Sequence, residues 1–284
     1  MSQTDSNQPL AGKVAVITGG ARGQGRSHAL ALARQGADIA VGDLCADVGT
    51  VDYRLATRLD LAETDRLVES LGRRCVSTVV DVRDLSAVRA FVDSAASFLG
   101  SVDIMVANAG VTGVGSVCHM TADQWSDVID INLTGVFNSI RAAAPHMRRQ
   151  QSGRIIGVSS MMGRSAQAGI PAYTASKWGV IGLCKSAALE LAGDGVTVNV
   201  VAPGNVSTPM IHNDSLYRLM RPDLAEPTAD DVAPVMSELH AQPVPWVEPE
   251  DVTAAVLYLV SDGARYVTGS VIDIDAGASA RFTA

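Results

Sequence analysis

The chain has 284 residues, a formal net charge of −8, 47% hydrophobic residues and 18% charged ones. This acidic balance argues against nucleic acid or an anionic membrane as a partner, because both require clustered cations. No apolar stretch reaches the ~18 residues of a membrane-crossing helix. The apolar content allows a large buried core, and although a prior of roughly 150 residues per domain would permit two, no linker divides the chain.

The start, Met1 to Pro9, lacks the basic and apolar regions of a secretion signal. Residues 1–10 read as a disordered polar tail and residues 11–284 as one domain. The first predicted strand, 14–18, is an apolar run that ends in glycines, and a helical pattern follows from Arg26 to Gln35. Strand, tight turn and helix together place bare backbone N–H groups and the positive end of a helix dipole where a pyrophosphate can approach. Gly19, Gly23 and Gly25 supply the turn, spaced Gly-x-x-x-Gly-x-Gly; this differs from both the usual dinucleotide fingerprint and the P-loop.

The second strand, 39–43, ends in Asp43. A carboxylate at that tip accepts ribose hydroxyls and repels a 2′-phosphate, which favours NAD; Arg22, inside the glycine turn, argues for NADP. Between Asp43 and Asp81 lie 37 residues, where a loop, a helix and a strand need only about 25. The surplus falls over 45–60, as a plain surface insertion or a flap over the adenosine end. Further strands are predicted near 76–81, 104–108, 154–159, 197–201 and 271–274, with helices over Ser86 to Leu99 and Ala175 to Leu191. Continuous Val/Ile strands alternating with amphipathic helices specify a doubly wound parallel α/β sheet of about seven strands, covered on both faces. Right-handed crossovers then bring the strand tips to one edge.

Tyr173 and Lys177 stand four residues apart, so one helical turn stacks a phenol beside an ammonium. An adjacent cation favours the phenolate and draws its titration toward neutral pH, which makes a proton carrier. Ser160, thirteen residues before Tyr173 and just past the fifth strand, can donate to a substrate oxygen; Ser159 is its rival. The segment 205–248 follows Pro203-Gly204 at a strand tip and carries Met210, Met220, Met236, Tyr217 and Trp246. Such a loop suits a lid over an apolar substrate, or packing onto a neighbouring subunit. Cys45, Cys75, Cys118 and Cys184 have no Cys-x-x-Cys spacing and read as reduced structural thiols of a cytoplasmic protein. His28, His119, His146, His212 and His240 are isolated, so no metal site is expected.

Thr18-Gly19-x-x-x-Gly23-x-Gly25, Asn108-Ala109-Gly110, Ser160 and Tyr173-x-x-x-Lys177 together resemble the short-chain dehydrogenase/reductase family. Asp81-Val82, Asn132, Pro203-Gly204 and Val267-Thr268-Gly269 extend the likeness over nearly the whole chain. Residues 18–29, with the extra segment after the second strand, resemble the subgroup associated with the redox cofactor mycofactocin, which includes carveol dehydrogenase-like enzymes. The resemblance implies a single Rossmann-like domain, an NAD-dependent short-chain alcohol dehydrogenase, and a homotetramer. Its implied substrate is a hydrophobic secondary alcohol or ketone of carveol, terpenoid or cyclic type. NAD would be tightly held beneath the insertion, and an external mycofactocin-type electron acceptor would reoxidise it.

By the same resemblance, Asn132, Ser160, Tyr173 and Lys177 are catalytic, with Asn132 relaying protons from Lys177 to water. Gly19, Arg22, Gly23, Gln24, Gly25, Asp43 and Leu44 would meet the adenosine and pyrophosphate. Asp81 and Val82 would meet adenine, Asn108, Ala109 and Gly110 would form the floor, and Tyr173 and Lys177 would meet the nicotinamide ribose. Pro203, Gly204, Val206 and Thr208 would surround the carboxamide. The alternatives are an NADPH-dependent carbonyl reductase with an exchangeable cofactor and a non-catalytic dinucleotide-sensing regulator.

Overall fold

The computed structural model describes residues 8–281. Seven parallel strands form one sheet in the order β3-β2-β1-β4-β5-β6-β7. They are β1 (Val14–Thr18), β2 (Asp38–Asp43), β3 (Cys75–Val79), β4 (Ile104–Ala107), β5 (Gly153–Val158), β6 (Val196–Pro203) and β7 (Val271–Ile274). The central strand shows why the sequence reads as an unbroken apolar run. Ala15 and Ile17 face one helical layer while Val14 and Val16 face the other, so both sets of alternating side chains are buried.

On the first face lie α1 (Gly23–Arg34), α2 (Arg58–Ser70) and α9 (Pro249–Val260), burying Leu32, Val68 and Val256. On the second lie α3 (Leu85–Leu99), α5 (Gly135–Gln150) and α6 (Pro171–Leu191), burying Phe91, Ile140 and Val180. Each large side chain so enclosed contributes about 2 kcal/mol relative to exposure. Local chemistry fixes the helix ends. Thr57 and Asp60 form a reciprocal capping box at the start of α2, and Asp84 accepts from Ser86 and Ala87 N–H groups at the start of α3. Pro171 occupies the first turn of α6, so that helix begins four residues before the predicted Ala175.

Of the tail expected over residues 1–10, residues 1–7 lie outside the described residues. Leu10 does not belong to a tail: it is buried, and its N–H donates to Gln35 O at 2.9 Å. The insertion is shorter than the predicted 45–60, because Arg58 to Asp60 form the first turn of α2. Segment 205–248 holds two short helices, α7 (Asp214–Met220) and α8 (Ala229–Leu239). Asn132 sits in a wide π-helical turn, Asp130–Thr134, between α4 (Ala122–Ile129) and α5. No helix among the described residues is long and apolar enough to cross a membrane.

Candidate active site

The segments just past the C-terminal tips of β1, β2, β3 and β4, with Thr208 to Met210 after β6, line a cleft of about 910 Å³, open mouth included. Its first wall is the glycine turn. Gly19 has a φ of +66°, and a Cβ at Gly25 would stand 2.1 Å from the Gly19 carbonyl oxygen, so helix and turn touch backbone to backbone. The floor is tied to this turn: Asn108 Nδ2 donates to the Thr18 and Gly19 carbonyls, and Thr18 Oγ1 accepts from the Asn108 N–H at 3.1 Å. Ala109 and Gly110 continue that floor.

Asp43 stands beside the glycine turn and accepts from the backbone N–H groups of Ala21 and Cys45. Burial pushes its carboxyl above the usual range, against those two bonds and the nearby Arg22 cation. Arg22 itself donates to the Arg54 carbonyl in the insertion. Leu44 and Val82 line the same cleft. Asp81 also lines it, but its carboxylate is clamped by the Arg83 guanidinium, which holds it below the ordinary value once burial is overcome. Arg83 reaches on to Asp127, and Asp127 accepts from Thr50 Oγ1 at 2.7 Å, so the insertion is fastened to α4.

A second tie crosses the cleft itself. Tyr53 of the insertion lines it, and the phenol oxygen of Tyr53 accepts from the Thr112 N–H at 3.2 Å. Burial pushes the Tyr53 phenol far above its usual value, with a further upward push from Tyr173. Sequence reasoning missed Tyr53, Leu55 and Ala56, all of which face this cleft. The available signal was that Tyr53 is the one aromatic residue within 45–60.

Beyond Thr112 a second cavity of about 480 Å³ adjoins the cleft, lined by Ser160 and Tyr173 together with Met161, Met162, Met210, Met220 and Met236. Ser160 starts the short turn Met161–Gly163, where its Oγ accepts from the Met162 N–H, and its interaction with Tyr173 draws the phenol downward. The rival Ser159 instead donates to the Lys177 carbonyl at 2.8 Å. Lys177 is buried, and its Nζ donates to the Val158 carbonyl at 2.9 Å.

The electrostatic expectation for Tyr173 needs correcting in this state of the protein. Burial is the largest influence and pushes the phenol up, and the same burial pushes the Lys177 ammonium down to about 8. The ammonium lies 5.5 Å from the centroid of the Tyr173 ring, engaged with a carbonyl. Asn132, fully buried, accepts from the Val111 N–H and donates to the Val111 carbonyl and to Ser176 Oγ, which in turn donates to the Tyr173 carbonyl. Asn132 thus fixes both the floor loop and the start of α6.

Gly23 and Thr208 meet across the mouth, and Thr208 Oγ1 donates to the Val206 carbonyl. Gly204 lines the second cavity, whereas Pro203 and Val206 are buried in β6 and in the bridge to Val247 rather than facing the cleft. All four cysteines are free. Among the described residues no three His, Cys, Asp or Glu side chains converge as a metal site would require.

The cleft suits a dinucleotide on its own observations. The turn admits backbone but no Cβ, and beside it stands the half-buried carboxylate of Asp43, placed to accept ribose hydroxyls. The amide oxygen of Gln24 is buried at the glycine turn with no partner among the described residues.

A family model described as short chain dehydrogenase matches residues 13–216. The chain is 47% identical over 268 residues to (−)-trans-carveol dehydrogenase of Rhodococcus erythropolis, covering 94% of this chain and 97% of that protein. A crystal structure of carveol dehydrogenase from Mycobacterium avium in complex with NAD superposes with a TM-score of 0.94 at 47% identity, covering 95% of this chain and 99% of that one. A short chain dehydrogenase from Mycobacterium paratuberculosis bound to NAD gives a TM-score of 0.88 at 40% identity, with coverages of 96% and 99%.

Proposed function

The chain belongs to the short-chain dehydrogenase family, of the carveol dehydrogenase-like kind, and from that premise we propose that it interconverts a hydrophobic secondary alcohol and its ketone with NAD. The enzyme is an NAD-dependent alcohol dehydrogenase. Its substrates are cyclic or terpenoid alcohols, a class suited to a cavity walled by methionine side chains. One observation carries this reading: Ser160 and Tyr173 open into the apolar cavity while Lys177 lies beneath them and the glycine turn closes the adjoining cleft.

When bound, NAD accepts the hydride released from the carbinol carbon. The protein's own groups handle everything else. Ser160 orients the substrate oxygen, and Tyr173, as phenolate, takes the hydroxyl proton as the carbon loses hydride. In the reverse direction the same phenol returns the proton to the developing alkoxide. Lys177 supplies the neighbouring positive charge. Gly110 lies between Asn132 Oδ1 and Lys177 Nζ, with a Cβ placed there 3.3 and 3.4 Å from them, and the relay to solvent runs through this gap.

The insertion acts as a flap that keeps NAD in place, supported by its two ties, Tyr53 to Thr112 and Thr50 to Asp127. A mycofactocin-type external acceptor would then reoxidise the retained cofactor. The NADP alternative is disfavoured by Asp43 and by the engagement of Arg22 with Arg54. A homotetramer is part of the same proposal, for which the exposed Trp125, Phe137 and Trp178 offer apolar contact surface. The four free thiols suit a reducing, cytoplasmic setting.

The test is turnover of cyclic secondary alcohols with an artificial electron acceptor, with and without added NAD, in the native enzyme and in Tyr173→Phe. The substitution should lower turnover by about 10³-fold while leaving cofactor content intact. A Tyr173→Phe enzyme of near-native rate would overturn the reading.

A further inference from the structure

The cavity beside Tyr173 is walled by Met161, Met162, Met210, Met220 and Met236, and besides Ser160, Tyr173, Thr112 and Asn205 one long polar side chain lines it: Gln167. Gln167 lies on the loop between the Met161–Gly163 turn and α6, where Gly169 has a φ of +87° and packs against Leu219 of α7. Its amide Nε2 donates to the Met220 sulfur at 3.3 Å, and this is the one side-chain hydrogen bond Gln167 makes among the described residues. A thioether is a weak acceptor, so this partly buried amide is only weakly engaged by the protein itself. An oxygen brought in by a ligand is the better acceptor, and the amide carbonyl offers a return bond to a hydroxyl.

Resting on the alcohol dehydrogenase reading above, we propose that Gln167 is a specificity residue that recognises a second oxygen on the substrate. The favoured substrates are then cyclic alcohols carrying a further hydroxyl or keto group away from the reacting carbon. Such a group would displace the Met220 contact and draw α7 onto the bound molecule. The wholly hydrocarbon alcohol fills the same space but leaves the amide on sulfur.

The experiment compares a matched pair of 4-substituted cyclohexanols, one bearing isopropyl and the other 2-hydroxypropan-2-yl, and reads the ratio of their kcat/KM values. The native enzyme should favour the hydroxylated partner. In Gln167→Met, and independently in Gln167→Ala, that ratio should fall by about tenfold, as expected for the loss of a hydrogen bond to the substrate. A ratio preserved within about twofold in either variant overturns the proposal, even where both activities drop together. If the native enzyme oxidises neither alcohol, the dehydrogenase reading fails with it; if it oxidises both and the ratio ignores residue 167, only the role of Gln167 fails.

Discussion

Lys177 Nζ lies 5.5 Å from the centroid of the Tyr173 ring and spends a hydrogen bond on the Val158 carbonyl. Among the described residues no carboxylate pairs with this buried ammonium, and burial lowers it from 10.5 to about 8. Its folded value is below its unfolded one, so the unfolded chain binds more protons between pH 8 and 10.5. The resulting penalty is full below about pH 8 and disappears as pH rises to 10.5. Lys177→Met should accordingly stabilise the protein at pH 7 by up to about 3 kcal/mol, with the gain shrinking at pH 10, while turnover falls at least about 100-fold. Denaturant unfolding at the two pH values measures the first effect. A destabilised variant at pH 7 would mean that the bond to Val158 outweighs the cost of burying the charge.

His28 adds a second acid-side cost, set in a lower pH window than that of Lys177. It is fully buried, bonded through Nδ1 to Thr253 Oγ1 at 2.7 Å, and burial lowers it from 6.5 to about 3. The unfolded chain takes up the proton first, so stability should decline as pH falls from 6.5 toward 3, by at most about 5 kcal/mol. His28→Gln should flatten that decline. Urea unfolding at pH 7, 5 and 4 provides the comparison, and parallel curves for the two proteins would refute the assignment.

The two ties of the insertion predict cofactor retention. Tyr53→Ala removes the bridge to Thr112, and Thr50→Val removes the one to Asp127. Each should speed NAD release by about tenfold, in keeping with the loss of a hydrogen bond and, for Tyr53, of buried ring surface. Native mass spectrometry after a chase with labelled NAD reads the exchange directly. Equal exchange in native and variant proteins would leave the flap without a function.

Asp43 should set cofactor choice in a pH-dependent way. Burial raises its carboxyl, so it protonates at a higher pH than an ordinary aspartate, and affinity for NAD should weaken on acidification sooner than for an exposed carboxylate. Asp43→Asn should lose about tenfold in NAD affinity and abolish that acid limb. Titration of cofactor fluorescence between pH 5 and 8 tests both. An unchanged acid limb in the variant would assign it to another group.

Much of this architecture could be read from residue order because each layer has its own period. The double-sided strands announce themselves as runs such as Val14 to Thr18, and Gly19 and Gly25 sit where a Cβ would strike backbone. The reach of Tyr53 to Thr112 was not legible, since the insertion has no regular period and the contact spans 59 positions. Nor was the behaviour of the Tyr173 phenol, because spacing reveals that Lys177 is near but not that burial raises the phenol and outweighs the bond from Ser160. Asp81 was found in its expected place, yet its partner two residues on, Arg83, claims the carboxylate first.

The widened turn at Asp130–Thr134 binds two unrelated properties to the same few residues. Deleting any one of them would let the backbone relax to ordinary α-helical pitch and rotate everything downstream by about 100°. Asn132 would swing off the Val111 loop, and Val136, Ile140 and Met147 would turn away from the core together. Length in this stretch is thus constrained more tightly than composition: variation can exchange side chains there, but shortening it would disable the chemistry and unseat α5 in a single event.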